Sequence, residues 1–139
     1  MDLDIILSRL IKEHREFNRV LKNIERRLRQ NFSFDDLELL REFLHREVDD
    51  HACWEEEVLY DILDREADIE RIIFSHEYIM DRLRKFEDAL DHFRKGKMGK
   101  EEIVEEAISL IKILKDHLAE EESILLPVIR KKMYGKYDK

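Results

Sequence analysis

A chain of 139 residues supplies about one domain, long enough to bury a core. Three glycines and one proline, against 43% charged and 43% hydrophobic residues, speak against a turn-rich sheet protein and for long amphipathic helices. A net charge of −8 disfavours nucleic acid and anionic membrane as partners, and no apolar run approaches the roughly 20 residues of a membrane span.

The first predicted helix begins at Asp2 or Asp4, either of which can cap it, and runs to about Gln30. Asn31-Phe32-Ser33 breaks it, and Ser33 followed by Asp36 resembles a capping box that opens the second helix, which continues to about Glu66. Ala67-Asp68 makes a tight connection, with Asp68 capping a third helix that ends near Lys95, before Gly96-Lys97-Met98-Gly99. The fourth helix runs from about Lys100 to Met133. Pro127 lies inside it and predicts a kink or a break, and a polar, frayed tail follows over 134–139. Short connections between long helices imply antiparallel neighbours. The expected fold is all-α, an up-down-up-down four-helix bundle forming a single domain over 1–139.

Each helix carries a seam of alternating three- and four-residue spacing, the mark of a face turned into a bundle core. On the first it reads Leu3, Leu7, Leu10, His14, Phe17, Leu21, Ile24, Leu28, and on the second Leu44, Val48, His51, Glu55, Val58, Ile62. The third is less clean: Ile69, Ile72 or Ile73, His76, Met80, Leu83, then Phe86, Leu90 and Phe93. The fourth is Ile103, Ala107, Leu110, Leu114, His117, Glu121, Ile124, Val128. Six polar residues interrupt these seams: His14, His51, Glu55, His76, His117 and Glu121. A domain whose whole stability is roughly 5–15 kcal/mol cannot bury six such groups uncompensated.

A metal cluster compensates them directly. His14 and His51 stand at similar distances from the turn between their helices, as do His76 and His117, so all six residues can share one layer. The chain also repeats itself: HACWEEEVLYDIL (51–63) aligns without a gap to HLAEEESILLPVI (117–129), and His14 in EHREF corresponds to His76 in SHEYI. Each half is a hairpin with one His on its first helix and H-x-x-x-E on its second, an i, i+4 pair that shares one helix face. Four imidazoles and two carboxylates suit a pair of borderline metal ions, with iron a strong candidate.

The ordered set H…HxxxE…H…HxxxE, with an ILLP after the last motif, resembles the hemerythrin-like (HHE) domains over essentially the whole chain. That resemblance implies two non-heme iron ions joined by an oxo or hydroxo bridge. It makes His14, His51, His76 and His117 terminal ligands and Glu55 and Glu121 bridging carboxylates. Two positions depart from the oxygen-carrying hemerythrins. Met80 stands where they have a second His on the third helix, and Glu121 stands four residues after its His where they have an Asp at five. These departures resemble a symmetric site with an open position, and they count against simple reversible oxygen carriage.

Around the six, Glu122 is an alternative to Glu121 if the fourth helix is distorted, Glu47 a candidate extra ligand, and Asn18 a candidate hydrogen-bond partner of His14. Glu56, Glu57, Glu120 and Glu122 read as a solvated acidic rim, and His45 and His92 as surface residues. Trp54, Phe17, Tyr60 and Met80 read as packing residues that can also wall an apolar pocket; Cys53 faces away from His51 and reads as packing. The leading functional expectation is O2 or NO binding as a carrier, sensor or scavenger. A di-iron enzyme (oxidase, peroxidase, NO reductase or iron–sulfur centre repair) and metal storage are the alternatives. The implied partner is a diatomic ligand or peroxide, with no nucleic acid and no membrane, and the sequence names no protein partner. One cysteine and a start without a basic leader region fit a reducing, cytoplasmic setting. Without metal the domain should be less stable, with the gap to the loaded form widening below neutral pH.

Overall fold

A computed structural model describes residues 2–135. Among them the chain forms four helical rods and no strand. The first is α1, Leu3–Gln30; the second is α2, Phe34–Phe43, a π-helical turn at Leu44–Val48, and α3, Asp49–Ile62; the third is α4, Glu66–Arg94; the fourth is α5, Lys100–Gly135. They pack as an antiparallel up-down-up-down bundle, with α5 against α1 and α4, and α3 against α4 and α5.

The ends follow local chemistry. Asp2 caps α1 by accepting from the Asp4 N–H at 2.9 Å, and Ser33 Oγ caps α2 by accepting from the Asp35 N–H at 3.2 Å. The capping box does not close: Asp36 turns inward and lies 3.6 Å from Arg27. The second rod stops at Ile62, short of Glu66, because Leu63 adopts an extended conformation that buries its side chain in the core. The third helix therefore starts at Glu66, with Arg65 at its cap, and Asp68 sits in the first turn where its charge suits the helix dipole. Pro127 does not break α5. It and Ser123, whose carbonyl loses its helical donor, are both exposed, so water can satisfy that carbonyl. Of the predicted tail, Tyr134 and Gly135 belong to α5, and 136–139 lie outside the described residues.

The core is two apolar clusters. One gathers Phe17, Leu21, Ile24, Leu40, Leu83, Phe86, Leu110 and Leu114 toward one end; the other gathers Leu10, Val58, Ile62, Ile72, Leu125 and Ile129 toward the other. Every rod passes from one cluster to the other through a polar residue: His14 in α1, His51 and Glu55 in α3, His76 in α4, His117 and Glu121 in α5. The seams hold with local shifts. Ile6 is buried where Leu3 and Leu7 are half-buried, Ile79 where Met80 is half-buried, and Leu125 and Ile129 where Ile124 and Val128 are half-buried. A straight helix turns 3.6 residues per turn, so a strict 3.5-residue seam drifts off the buried face along α5.

The π-helical turn at Leu44–Val48 was not foreseen. It takes in one extra residue per turn just before His51, as π-bulges near functional sites often do.

Helix α4 ends in a Schellman motif. Gly96 takes φ 73°, its N–H reaches the Phe93 carbonyl at 3.1 Å, and the Lys97 N–H reaches the His92 carbonyl at 2.8 Å. A Cβ at Gly96 would meet no atom within 4 Å, so Gly96→Ala isolates the backbone strain. Urea unfolding should show that variant destabilised by about 1 kcal/mol with unchanged metal uptake; an unchanged midpoint would refute the strained turn.

Candidate metal centre

The six seam residues converge on one buried layer, none more than 8% exposed. The i, i+4 spacing on α3 and α5 aims both members of each H-x-x-x-E pair inward: His51 Nε2 lies 3.0 Å from Glu55 Oε2, and His117 Nε2 lies 2.5 Å from Glu121 Oε2. His14 Nε2 comes to 3.2 Å from His51 Nε2. The two carboxylates cross the layer. Glu121 Oε1 is 3.3 Å from His14 Nε2, while its Oε2 is 2.8 Å from His76 Nε2. Glu55 Oε2 faces His51 and, at 3.9 Å, His14; its Oε1 is 3.2 Å from His76 Nε2. Donor atoms of His14, His51, Glu55 and Glu121 lie within 4.8 Å of one another, as do those of His76, His117 and Glu121.

The outer nitrogens have partners of their own. His14 Nδ1–H donates to Glu122 at 3.1 Å, His76 Nδ1–H to Glu56 at 3.3 Å, and His51 Nδ1–H to Glu13. Ser75 Oγ lies 2.6 Å from His117 Nδ1. A carboxylate only accepts, so for the first three the proton sits on Nδ1 and the Nε2 lone pair points inward. This is the arrangement by which an outer carboxylate orients a metal-binding imidazole.

The layer fits a metal ion on its own chemistry. Oxygens Glu55 Oε1 and Glu121 Oε1 are buried with no hydrogen-bond partner. Among the described residues no Lys or Arg pairs with either carboxylate. Inward-facing imidazole lone pairs opposite carboxylate oxygens repel unless protons or cations stand between them.

In the metal-free chain protons take that place. Burial works against a charged His14 or His76, yet hydrogen bonds with Glu121 and then Glu55 prevail and raise each to about 10. Burial likewise pushes the Glu121 carboxyl up, but bonds with His117, His14 and His76 hold it well below the usual range.

The remaining expectations divide. Glu121, rather than Glu122, enters the layer, and Glu122 instead bonds to His14. Glu56 and Glu122 are therefore more than a solvated rim. Glu47 is exposed beside a separate groove, and Asn18 is exposed, so the partner of His14 Nδ1 is Glu122. Two further contacts, Glu13 and Ser75, were missed, although each directly precedes a cluster histidine. His45 pairs with Glu87 at 3.2 Å on the surface and His92 is exposed, as anticipated. Cys53 is exposed, not packed; the slight desolvation it does have and the nearby Asp49 and Glu56 push its thiol up.

A cavity of about 580 Å3 adjoins the layer from one side and reaches His51, His76 and His117, with Phe17, Ile79, Met80, Leu114 and Leu118 among its walls. Trp54 is not a wall residue; Arg9 stacks on it at 4.0 Å. Tyr60 is 68% exposed and belongs to neither core nor cavity.

The pH dependence of the metal-free chain follows in sign. His14 and His76 are raised above their unfolded value of about 6.5, so their contribution is complete below that pH and is lost as pH rises toward about 10. The depressed Glu121 contributes above its unfolded value and fails only in acid. Thermal melting of the metal-free chain should therefore drop by several degrees between pH 6.5 and 9. Metal affinity rises as proton competition fades, so the gap to the loaded form should narrow on acidification, opposite to the widening expected from the sequence. A metal-free melting point that climbs from pH 6.5 to 9 would contradict this geometry.

No curated protein and no solved structure matches the chain significantly. A family model described as the hemerythrin HHE cation-binding domain matches residues 5–129, which takes in all six residues of the layer. By that match, the chain belongs to the hemerythrin HHE cation-binding domain family.

Proposed function

We propose that this chain is a non-heme di-iron protein that binds O2 or NO. His14, His51, His76 and His117 serve as terminal ligands, and Glu55 and Glu121 as bridging carboxylates. The observation that carries this reading is the crossing of the two carboxylates. Glu121 offers one oxygen to His14 and the other to His76 and His117, and Glu55 spans His51 and His76 in the same way. A carboxylate placed between two imidazole pairs suits two cations better than one. Bound iron supplies redox-active centres that take up diatomic ligands and exchange electrons with them.

The protein's own part is selection and access. Glu13, Glu56 and Glu122 hold three imidazoles with their lone pairs inward. The mainly apolar cavity favours small uncharged molecules over anions, and Met80 is one of its walls, so a bulkier side chain there would narrow it. A turnover role, as a di-iron oxidase, peroxidase or NO reductase, is the second reading. The cavity favours it to this extent: its volume lies in the roughly 300–1,000 Å3 range of small-molecule sites, more than a diatomic needs. We take residues 1–139 as one domain in a reducing, cytoplasmic setting; the exposed, unpaired Cys53 supports the latter. Among the described residues, no helix is long and apolar enough to cross a membrane.

Iron reconstitution should load two ions per chain. Glu55→Ala and Glu121→Ala should each lose most of that metal, Glu56→Ala should weaken uptake about 10- to 100-fold, and exposed Glu57→Ala should match wild type. Elemental analysis giving one ion per wild-type chain, or equal loading across the four variants, would contradict the assignment. Separately, Met80→Trp should leave iron content intact while slowing NO or O2 association at least tenfold in stopped-flow absorption. An unchanged rate would mean that ligands do not enter through this cavity.

A further inference from the structure

The internal repeat extends beyond the six seam residues to the groups that hold them. Glu56 and Glu122 are equivalent in the repeat, and each reaches across to the first histidine of the other half: Glu56 to His76, Glu122 to His14. Glu13 and Ser75 are likewise equivalent, each the residue before a cluster histidine, and each reaches the second histidine of its own half: Glu13 to His51, Ser75 to His117. Three of the four outer contacts are thus carboxylates. The fourth is a hydroxyl.

The difference is chemical. A carboxylate accepting an imidazole N–H draws its proton outward and raises the electron density on the opposite nitrogen, strengthening it as a ligand; a neutral hydroxyl does so far less. Glu13 is also anchored. Arg9 Nε donates to Glu13 Oε1 at 2.6 Å while the same guanidinium stacks on Trp54 at 4.0 Å, so the carboxylate is fixed before it meets His51. Among the described residues, His117 is the hydrogen-bond partner of Ser75 and no charged side chain bonds to it. A second asymmetry runs the same way. The cavity reaches both histidines of the His76/His117 half but only His51 of the other, leaving His14 away from it.

We propose that the two metal positions are unequal by construction, with Glu13 and Ser75 as the positioning residues that set the difference. The His14/His51 position is the tighter, and the His76/His117 position is the weaker, more exchangeable one. This rests on the dinuclear reading above.

The test is an anaerobic titration of Co2+ into the metal-free chain, followed by calorimetry and visible absorption, with melting of each metal-free variant as a folding check. Glu13→Gln keeps an acceptor for His51 and removes only the charge. It should weaken the tighter binding step about 10- to 100-fold and leave the weaker step within about threefold. Ser75→Asp adds the charge on the other side and should tighten the weaker step by at least about tenfold while sparing the tighter one. Glu13→Asp should recover part of what Glu13→Gln loses. If Glu13→Gln moves both steps together, or neither, the proposal is overturned even though the metal centre stands. If the wild-type chain takes up no Co2+, the metal centre falls and the proposal with it.

Discussion

Two carboxylates and four imidazoles are buried between two apolar clusters, and every rod of the bundle contributes to that layer. Apolar clusters alone would favour one continuous core, so the polar layer is a standing cost in the bare fold. Glu55 Oε1 and Glu121 Oε1 lack hydrogen-bond partners, and the Nε2 atoms of His76 and His14 face them. Protons relieve the conflict by charging His14 and His76; metal ions relieve it by taking both sets of lone pairs at once. The fold and the function therefore depend on the same electrostatic problem, and the choice between protons and metal is set by pH and metal supply.

The rest of the molecule is arranged around holding that layer still. The apolar clusters above and below fix the heights of the four rods, so the six side chains meet without a loop contributing any of them. Ligands carried on helices are held more rigidly than ligands on loops. The outer contacts then set the direction of each ring. Carboxylates do this at three positions and a hydroxyl at the fourth, His117, which with His51 and His76 borders the cavity.

Much of this was legible from spacing. The six interrupted seam positions and the four rods follow from three- and four-residue periodicity, and the gapless match of 51–63 to 117–129 pairs the two halves. Several features were not, for physical reasons. The π-helical turn before His51 is a change in hydrogen-bond reach, which the side-chain pattern does not encode. Glu56 and Glu122 stand five residues after their histidines, off the face of each H-x-x-x-E pair, and read as a solvated rim, but a glutamate is long enough to reach a histidine on a neighbouring rod. Glu13 and Ser75 do not interrupt a seam and so carried no signal of their own, although the repeat that aligned His14 with His76 also aligned them. Leu63 ended the second rod early because burial of its side chain overrode local preference, and Pro127 left α5 unbroken because it and Ser123 are exposed, so water can satisfy the Ser123 carbonyl.

X-ray absorption on the iron-loaded protein bears most directly on the central claim, that one buried layer holds two metal ions between imidazoles and shared carboxylates. The account predicts a first shell of nitrogen and oxygen with imidazole multiple scattering, no sulfur, and a second iron at about 3.5–4 Å or somewhat less. An isolated iron with no metal neighbour, or a sulfur ligand in the first shell, would contradict it.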